Sequence, residues 1–118
     1  MTGPQPPGRS DNTTAHPSID LDDVVHQRAR LGILAVLMEV RDAEFTYLRR
    51  LLEVTDGNLG RHLEVLEREG LINIVKGFEG RRPKTRVHIT VAGRRALSAE
   101  MDALRELVRR FDAADDQA

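Results

Sequence analysis

Several residue types that build common kinds of site are absent from this chain or scarce in it. It has no cysteine, which excludes disulfides, thiolate zinc sites, iron–sulfur clusters and a cysteine nucleophile. It has no tryptophan and only 3% aromatic residues, so the core must be built from aliphatic side chains. The sequence lacks the run of about 18 apolar residues that a transmembrane helix needs. Its N-terminus has Pro and Gly where a signal peptide has an apolar stretch, and we expect a cytoplasmic protein with no membrane partner.

Charge is distributed unevenly along the 118 residues, although the net charge is only −1. Residues 45–95 carry 11 basic and 6 acidic side chains, and the chain on either side is net acidic. Within that middle part, residues 76–95 contain seven basic residues and one acid, Glu79. Because salt screens charges beyond about 8 Å, a polyanion responds to such a local patch rather than to the net charge. The distribution therefore favours a nucleic-acid partner.

The two ends differ in composition from the middle. Residues 1–17 contain four of the five prolines and almost no apolar side chains, which predicts a disordered tail. Residues 113–118 are acidic and are expected to fray. One domain is therefore expected over residues 18–112.

Apolar residues at helical spacing predict four helices, at 20–39, 45–53, 56–69 and 91–112. Asp20 is the expected cap of the first, and a short polar connection at 41–44 follows it. Thr55 or Asp56 is expected to cap the third helix, and Gly70 is expected to end it in the left-handed conformation. Thr90 is expected to cap the last.

Two short segments rich in β-branched residues, 71–76 and 85–90, predict antiparallel strands. Residues 77–84 between them have the composition of a turn, which makes the hairpin tip long and basic. The second and third helices form a helix-turn-helix, and the hairpin that follows is a wing. The predicted fold is mainly α with a small β-hairpin: a winged helix-turn-helix with a long C-terminal helix.

Specific motifs strengthen this prediction. They are Thr-Asp-Gly-Asn-Leu at 55–59, Arg-His-Leu at 61–63, Leu-Glu-x-x-Gly-Leu at 66–71 and Gly-Arg-Arg-Pro at 80–83. With these motifs the chain resembles winged-helix transcriptional regulators of the MarR/ArsR-like group, and more narrowly the small bacterial "winged helix DNA-binding domain" regulators. The resemblance covers about residues 24–100. It implies a dimeric regulator that binds double-stranded DNA.

The third helix is the expected reading helix, because its N-terminal turns expose polar residues opposite a leucine stripe. The candidate DNA contacts there are Thr55, Asn58, Gly60, Arg61 and His62. Asn can pair with adenine and Arg with guanine. Gly57 is read either as a close approach to phosphate or as turn geometry. His62 is read either as a phosphate contact or as a packed residue beside the stripe, and Asp56 either as a cap or as an acceptor from cytosine.

Further cations are expected to contact DNA outside the reading helix. The wing supplies Arg81, Arg82, Lys84 and Arg86, which suit a minor groove of high negative potential. Arg49 and Arg50 on the second helix are candidates for phosphate contact. The alternative for each is an ordinary solvated charge.

The last helix carries a heptad seam, which predicts dimerisation through this helix with help from the first. Its residues are Leu97, Met101, Leu104, Val108 and Phe111. We therefore expect a homodimer on an inverted-repeat operator, acting as a repressor.

Other functions fit the sequence less well. A winged-helix adaptor that binds protein without DNA is the alternative, because fold does not fix function. No nucleophile elbow or phosphate loop is present, so we expect no enzyme activity. We expect no cofactor and no metal, although His26 and His88 could meet across the fold. An unidentified small-molecule effector is left open.

Overall fold

Residues 15–118 are described by a computed structural model, so most of the predicted N-terminal tail lies outside the described residues. A short 3-10 helix, Pro17–Asp20, precedes four α-helices and three β-strands. Their bounds are α1 Arg28–Val40, β1 Asp42–Glu44, α2 Phe45–Leu52, α3 Asp56–Arg68, β2 Ile72–Glu79, β3 Arg82–Ile89 and α4 Val91–Asp116. The strands form one antiparallel sheet in the order β1-β3-β2. The predicted fold class, mainly helical with a hairpin wing and a long last helix, is confirmed.

One cluster of aliphatic side chains holds these elements together. Every α-helix and strand contributes at least one member, and each member is at most 9% exposed. The cluster includes Ile33, Leu34, Leu37, Ala43, Leu48, Leu59, Leu63, Leu66, Ile72, Val87 and Leu97. The leucine stripe of α3 lies in this core, so the opposite side of α3 faces solvent.

The first α-helix begins later than the sequence predicts. Asp20 lies in the 3-10 helix, and α1 starts at Arg28. The carboxylate of Asp22 accepts hydrogen bonds from the backbone N–H groups of Val24 and Val25, at 2.8 and 3.2 Å. Asp often closes a local turn in this way as an alternative to capping a helix. Asp22 therefore closes a turn ahead of α1, and Asp20, in the 3-10 helix, does not cap α1.

The polar connection predicted at 41–44 is wrong, because Asp42–Glu44 forms strand β1. It pairs with β3, and Ala43 lies opposite Val87 in the register. A strand of three residues with one apolar member gives no periodicity that a sequence pattern could detect.

The wing is also more regular than predicted. Strands β2 and β3 extend through most of the segment 77–84, and a turn of two residues, Gly80 and Arg81, joins them. Gly80 has a φ of 63°, a conformation that glycine adopts without steric cost. The hairpin is therefore a paired ribbon almost to its tip rather than a long loop.

The predicted end of α3 is confirmed. Gly70 has a φ of 77°. Its N–H donates to the carbonyl of Glu67, and the N–H of Leu71 donates to the carbonyl of Leu66, both at 2.9 Å. These two bonds form a Schellman motif, which satisfies the carbonyls at the end of the helix.

The start of α4 is joined closely to this end of α3. Thr90 caps α4 as predicted, since its hydroxyl accepts from the N–H of Gly93 at 2.9 Å. The same hydroxyl donates to the carbonyl of Gly70 at 2.7 Å. A Cβ on Gly93 would lie 2.1 Å from the carbonyl oxygen of Leu71, so this contact requires glycine.

Helix α4 continues past its predicted end at residue 112 to Asp116. Its 26 residues span about 39 Å. Every residue from Val108 onward is exposed. The C-terminal part of α4 thus projects from the core.

Within residues 15–118, the helices are each too short or too polar to cross a membrane.

Candidate nucleic-acid interface

The N-terminal half of α3 presents exposed polar residues in a helix-turn-helix formed with α2. Thr55 caps α3, and its hydroxyl accepts from the N–H of Asn58 at 3.1 Å. Asp56, Gly57, Asn58 and Arg61 are exposed. A capped helix N-terminus with exposed polar side chains has the form of a reading helix.

Asn58 and Arg61 are joined to each other. Arg61 Nη2 donates to Asn58 Oδ1 at 2.6 Å. The two residues are one helical turn apart, where side chains meet on the same face. The bond directs the guanidinium of Arg61 and occupies an acceptor that Asn58 would need to pair with adenine.

Helices α2 and α3 are linked by an ion pair at their junction. Arg49 Nε lies 3.0 Å from Asp56 Oδ1. Thr55, rather than Asp56, is therefore the cap of α3, and the carboxylate of Asp56 compensates the charge of Arg49. Arg50 is exposed and has no ion pair within residues 15–118.

His62 is only partly exposed and lies beside other cations. Burial is the largest cause that lowers its pKa below the usual 6.5, and the charges of Arg30 and Arg61 lower the pKa further. A neutral imidazole is a poor phosphate contact, so this environment favours the packed interpretation of His62.

The turn of the wing and the first residue of β3 carry free cations. Arg81 and Arg82 are both exposed, and neither forms an ion pair with another described residue. Guanidinium groups at a narrow tip suit a groove lined by phosphates.

The other two wing cations do not share this state, which the sequence did not predict. Lys84 Nζ lies 3.2 Å from Glu44 Oε1 and 3.1 Å from Glu79 Oε2. Arg86 donates to the carboxylate of Asp42 and lies 3.8 Å from Glu44 Oε1. The hydrogen bonds that Lys84 donates to Glu79 and Glu44 raise the pKa of Lys84, and the hydrogen bond that Asp42 accepts from Arg86 lowers the pKa of Asp42.

The hairpin has two distinct faces, because successive side chains of a strand point to opposite sides. We call the side that continues from buried Ile72 and partly buried Ile74 the inner face; it also carries Lys76 and Phe78. We call the opposite side, which carries Val75 and its register partner Arg86, the outer face. Arg82, Lys84 and Arg86 lie on the outer face, away from α3.

A cleft of about 330 Å³ separates α3 from the inner face. Its lining comprises Phe45, Gly57, Gly60, Arg61, Leu63, Glu64, Ile74, Lys76 and Thr85. A Cβ built on Gly57 or on Gly60 meets no atom within 4 Å, so neither glycine is required by packing. The two glycines leave the backbone of α3 open on one wall of the cleft, so an anionic chain could approach it closely. Lys76 on the other wall supplies a positive charge.

Lys76 and Phe78 were not among the predicted site residues. Lys76 was counted in the basic segment but was not assigned a role, and Phe78 was assigned to a turn. The alternation that begins at Ile72, continued two residues past the predicted strand end, would have placed both on the inner face.

The predicted dimer seam divides into two parts. Leu97 is 5% exposed and belongs to the core, and Met101 packs against that core. Leu97 therefore stabilises the domain core, and Met101 packs against that core while staying partly exposed, so the assignment of these two residues to a dimer interface stays a prediction. Val108 and Phe111 are 58% and 66% exposed, and Leu104 is partly exposed.

The two histidines considered as a pair have separate partners. His26 Nδ1 lies 2.5 Å from Glu100 Oε2, and Glu100, 1% exposed, also accepts from the N–H of Asp22 at 2.9 Å. His88 Nδ1 lies 3.6 Å from Asp42 Oδ2. Among the described residues, no group of three or more His, Asp or Glu side chains is placed to hold a metal ion.

A helix-turn-helix, a paired wing with a cationic tip and a cleft between them define a winged helix-turn-helix protein. The model of the family described as "Winged helix DNA-binding domain" matches residues 29–108, and the chain belongs to this family. The family comprises DNA-binding transcriptional regulators rather than enzymes, as the sequence predicted.

Known proteins agree with this assignment. The chain is 43% identical over 65 residues to an uncharacterized protein of Methanocaldococcus jannaschii, covering 55% of this chain and 71% of that protein. A transcriptional regulator homologue from Pyrococcus horikoshii is similar in structure, with a TM-score of 0.75, 33% identity, and coverage of 80% of this chain and 94% of that one. A MarR-family regulator from Silicibacter pomeroyi has the same fold, with a TM-score of 0.60, 22% identity, and coverage of 86% and 68%. The predicted resemblance to MarR-type regulators is confirmed at the level of the fold.

Proposed function

We propose that the protein acts as a homodimer that binds an inverted-repeat operator in double-stranded DNA and represses transcription there. The observation that carries the proposal is the arrangement of exposed groups around one cleft. The N-terminal half of α3 forms one wall, and the wing with Arg81 and Arg82 at its tip forms the other. A dimer bound over a promoter excludes RNA polymerase by occupancy alone.

Arg61 is the base-reading residue of this proposal. Its guanidinium is exposed, and Asn58 fixes its direction through the 2.6 Å hydrogen bond. Arginine contacts guanine through two acceptors in the major groove. Asn58 acts mainly by positioning Arg61, since its own carbonyl is already bonded.

The projecting part of α4 supports the dimer. Val108 and Phe111 expose apolar surface on a helix segment that no part of the described core covers. Exposed aromatic surface of this kind is costly in water unless a partner covers it. A two-fold axis through this segment gives each protomer one reading helix, and two reading helices about 34 Å apart match one turn of DNA.

In vitro selection of DNA from a random library by the purified protein tests operator recognition. We expect an inverted repeat with guanine in each half-site. Arg61→Ala should reduce the preference for that guanine by about 1–3 kcal/mol, and Asn58→Ala should weaken preference at the same base pair. Arg105→Ala, which removes a cation paired with Asp102 on α4, is the matched control and should select the wild-type sequence. Failure to enrich any sequence would contradict the proposal.

Sedimentation equilibrium tests the dimer. Phe111→Glu should convert the dimer to a monomer, because it places a carboxylate in the apolar contact. Ala113→Glu adds the same charge to an exposed position off the seam and should leave the dimer intact. A monomeric wild type, or equal effects of the two variants, would refute dimerisation through α4.

The two tests separate the proposal from the adaptor alternative. An adaptor would dimerise or remain monomeric without selecting DNA, and its wing variants would leave DNA retention unchanged at every salt concentration.

A further inference from the structure

Phe78 is the feature that the proposed function leaves unexplained. At 74% exposed, it is the most exposed large apolar side chain among residues 15–118. It lies on β2 near the tip of the wing, opposite Pro83 in the register. An aromatic ring held in water on a rigid ribbon is a common sign of a binding surface.

The inner face determines what Phe78 can meet. Lys76, two residues earlier on the same face, lines the cleft beside α3 together with its register partner Thr85. Phe78 and Pro83 form the next pair outward on this face, between that cleft and the turn that carries Arg81. The apolar pair is thus continuous with the cationic surface at both of its ends.

We propose that Phe78, backed by Pro83, packs against deoxyribose rings and the groove wall of bound duplex DNA. This inference rests on the proposed function and adds a second kind of contact to it. Lys76 and Arg81 supply charge on either side of the pair, and Phe78 supplies apolar contact between them. Proteins that bind the minor groove often use apolar side chains together with Arg.

The two kinds of contact differ in their response to salt. Cations that neutralise phosphates release counterions, so each contact contributes about −0.9 to the slope of log K against log salt. Burial of an aromatic ring releases no counterions, and its contribution is nearly constant over the same salt range. Phe78 should therefore change the affinity without changing the slope.

The experiment measures binding by fluorescence anisotropy over a range of salt concentrations. The probes are a duplex that carries the selected inverted repeat and a duplex of scrambled sequence. Phe78→Ala should weaken binding to both by about ten-fold with an unchanged slope. Phe78→Trp should retain wild-type affinity, and Arg81→Ala should flatten the slope.

Val75 provides the matched control. It lies on the same strand, is 51% exposed and belongs to the outer face. Val75→Ala removes apolar surface of the wing without touching the inner face, so its affinity for both duplexes should equal that of the wild type. Thermal melts of Phe78→Ala should match the wild type, since the side chain packs on little of the core.

The outcomes distinguish this inference from the proposed function. If the wild type binds neither duplex, the proposed function fails and the inference fails with it. If Arg81→Ala flattens the slope while Phe78→Ala binds like the wild type, the inference alone is wrong. A change in sedimentation of Phe78→Ala without a change in DNA affinity would mark the residue as a protein contact and overturn the inference.

Discussion

The wing carries two cations at its tip and two further along its outer face, all from one short stretch of sequence. Arg81 and Arg82 at the tip are exposed and have no ion pair among the described residues. Lys84 and Arg86 on the outer face are compensated by carboxylates of β1 and of β2. Fewer basic residues are therefore available to a ligand than a count along the segment gives, because carboxylates already pair with some of them. The difference arises largely from a strand that is distant in sequence and adjacent in the sheet.

The largest expected effect concerns the tip. Arg81→Ala combined with Arg82→Ala should weaken binding to every duplex by at least about ten-fold, because these cations contact phosphates without reading bases. The slope of log K against log salt should fall by about 0.9 for each phosphate that is no longer neutralised. Anisotropy titrations over a salt series measure both quantities. An unchanged slope would place the DNA elsewhere.

A smaller effect is expected on the outer face, and on a different property. Arg86→Ala leaves Asp42 without its partner between β1 and β3, so the thermal midpoint should fall. DNA affinity should stay within about two-fold of the wild type, because the guanidinium is already compensated. Melting curves and anisotropy on the same samples check both parts. A reduction in affinity equal to that of the tip variant would remove the distinction between the two surfaces.

The pH dependence of stability gives a third test. The hydrogen bond from Arg86 is the main cause that lowers the pKa of Asp42 below its usual 3.8, with help from the charges of Arg86 and His88. A depressed carboxyl pKa contributes stability that is complete above the unfolded pKa and is lost as the pH falls through the folded pKa. Asp42→Asn should therefore be less stable at neutral pH and should show a flatter decline below about pH 4. Chemical denaturation at a series of acidic pH values measures this, and parallel curves for the two proteins would count against it.

The smallest effect is expected for His62 on α3, which we expect to influence stability rather than DNA binding, as the compensated cations of the wing do. Burial and then the charges of Arg30 and Arg61 lower its pKa below 6.5. The folded state therefore binds a proton less readily than the unfolded state, and stability should decrease as the pH falls from about 6.5. Chemical denaturation between neutral and mildly acidic pH measures this, and His62→Gln should remove that part of the decline. A histidine that contacts phosphate would behave differently, because DNA affinity would then rise as the pH falls.

Much of the fold follows from local patterns that the sequence displays. The leucine stripe of α3, the caps Thr55 and Thr90, and the left-handed Gly70 are each determined by neighbours within a few residues. The structure confirms all of them. Local chemistry was sufficient there because helix ends satisfy their own backbone groups.

The features that the sequence did not predict depend on contacts distant in sequence. Strand β1 exists because Asp42–Glu44 pairs with β3, and its carboxylates then reach Lys84 and Arg86. Residues 77–84 have the composition of a turn, so the sequence did not predict that β2 and β3 pair through most of this segment. The sequence therefore predicted the helix-turn-helix and the wing that form the candidate site. It did not predict which of their cations form ion pairs.

The junction of α3 and α4 has a consequence for the proposed dimer. Thr90 bonds to both helices, and Gly93 sits against the backbone of Leu71 with no space for a methyl group. We therefore expect α3 and α4 to rotate together as one rigid unit. In the proposed dimer, the angle at which the two α4 helices cross would then set the distance between the two α3 helices. A small shift at the C-terminal end of α4 would decide whether both α3 helices fit their major grooves at once.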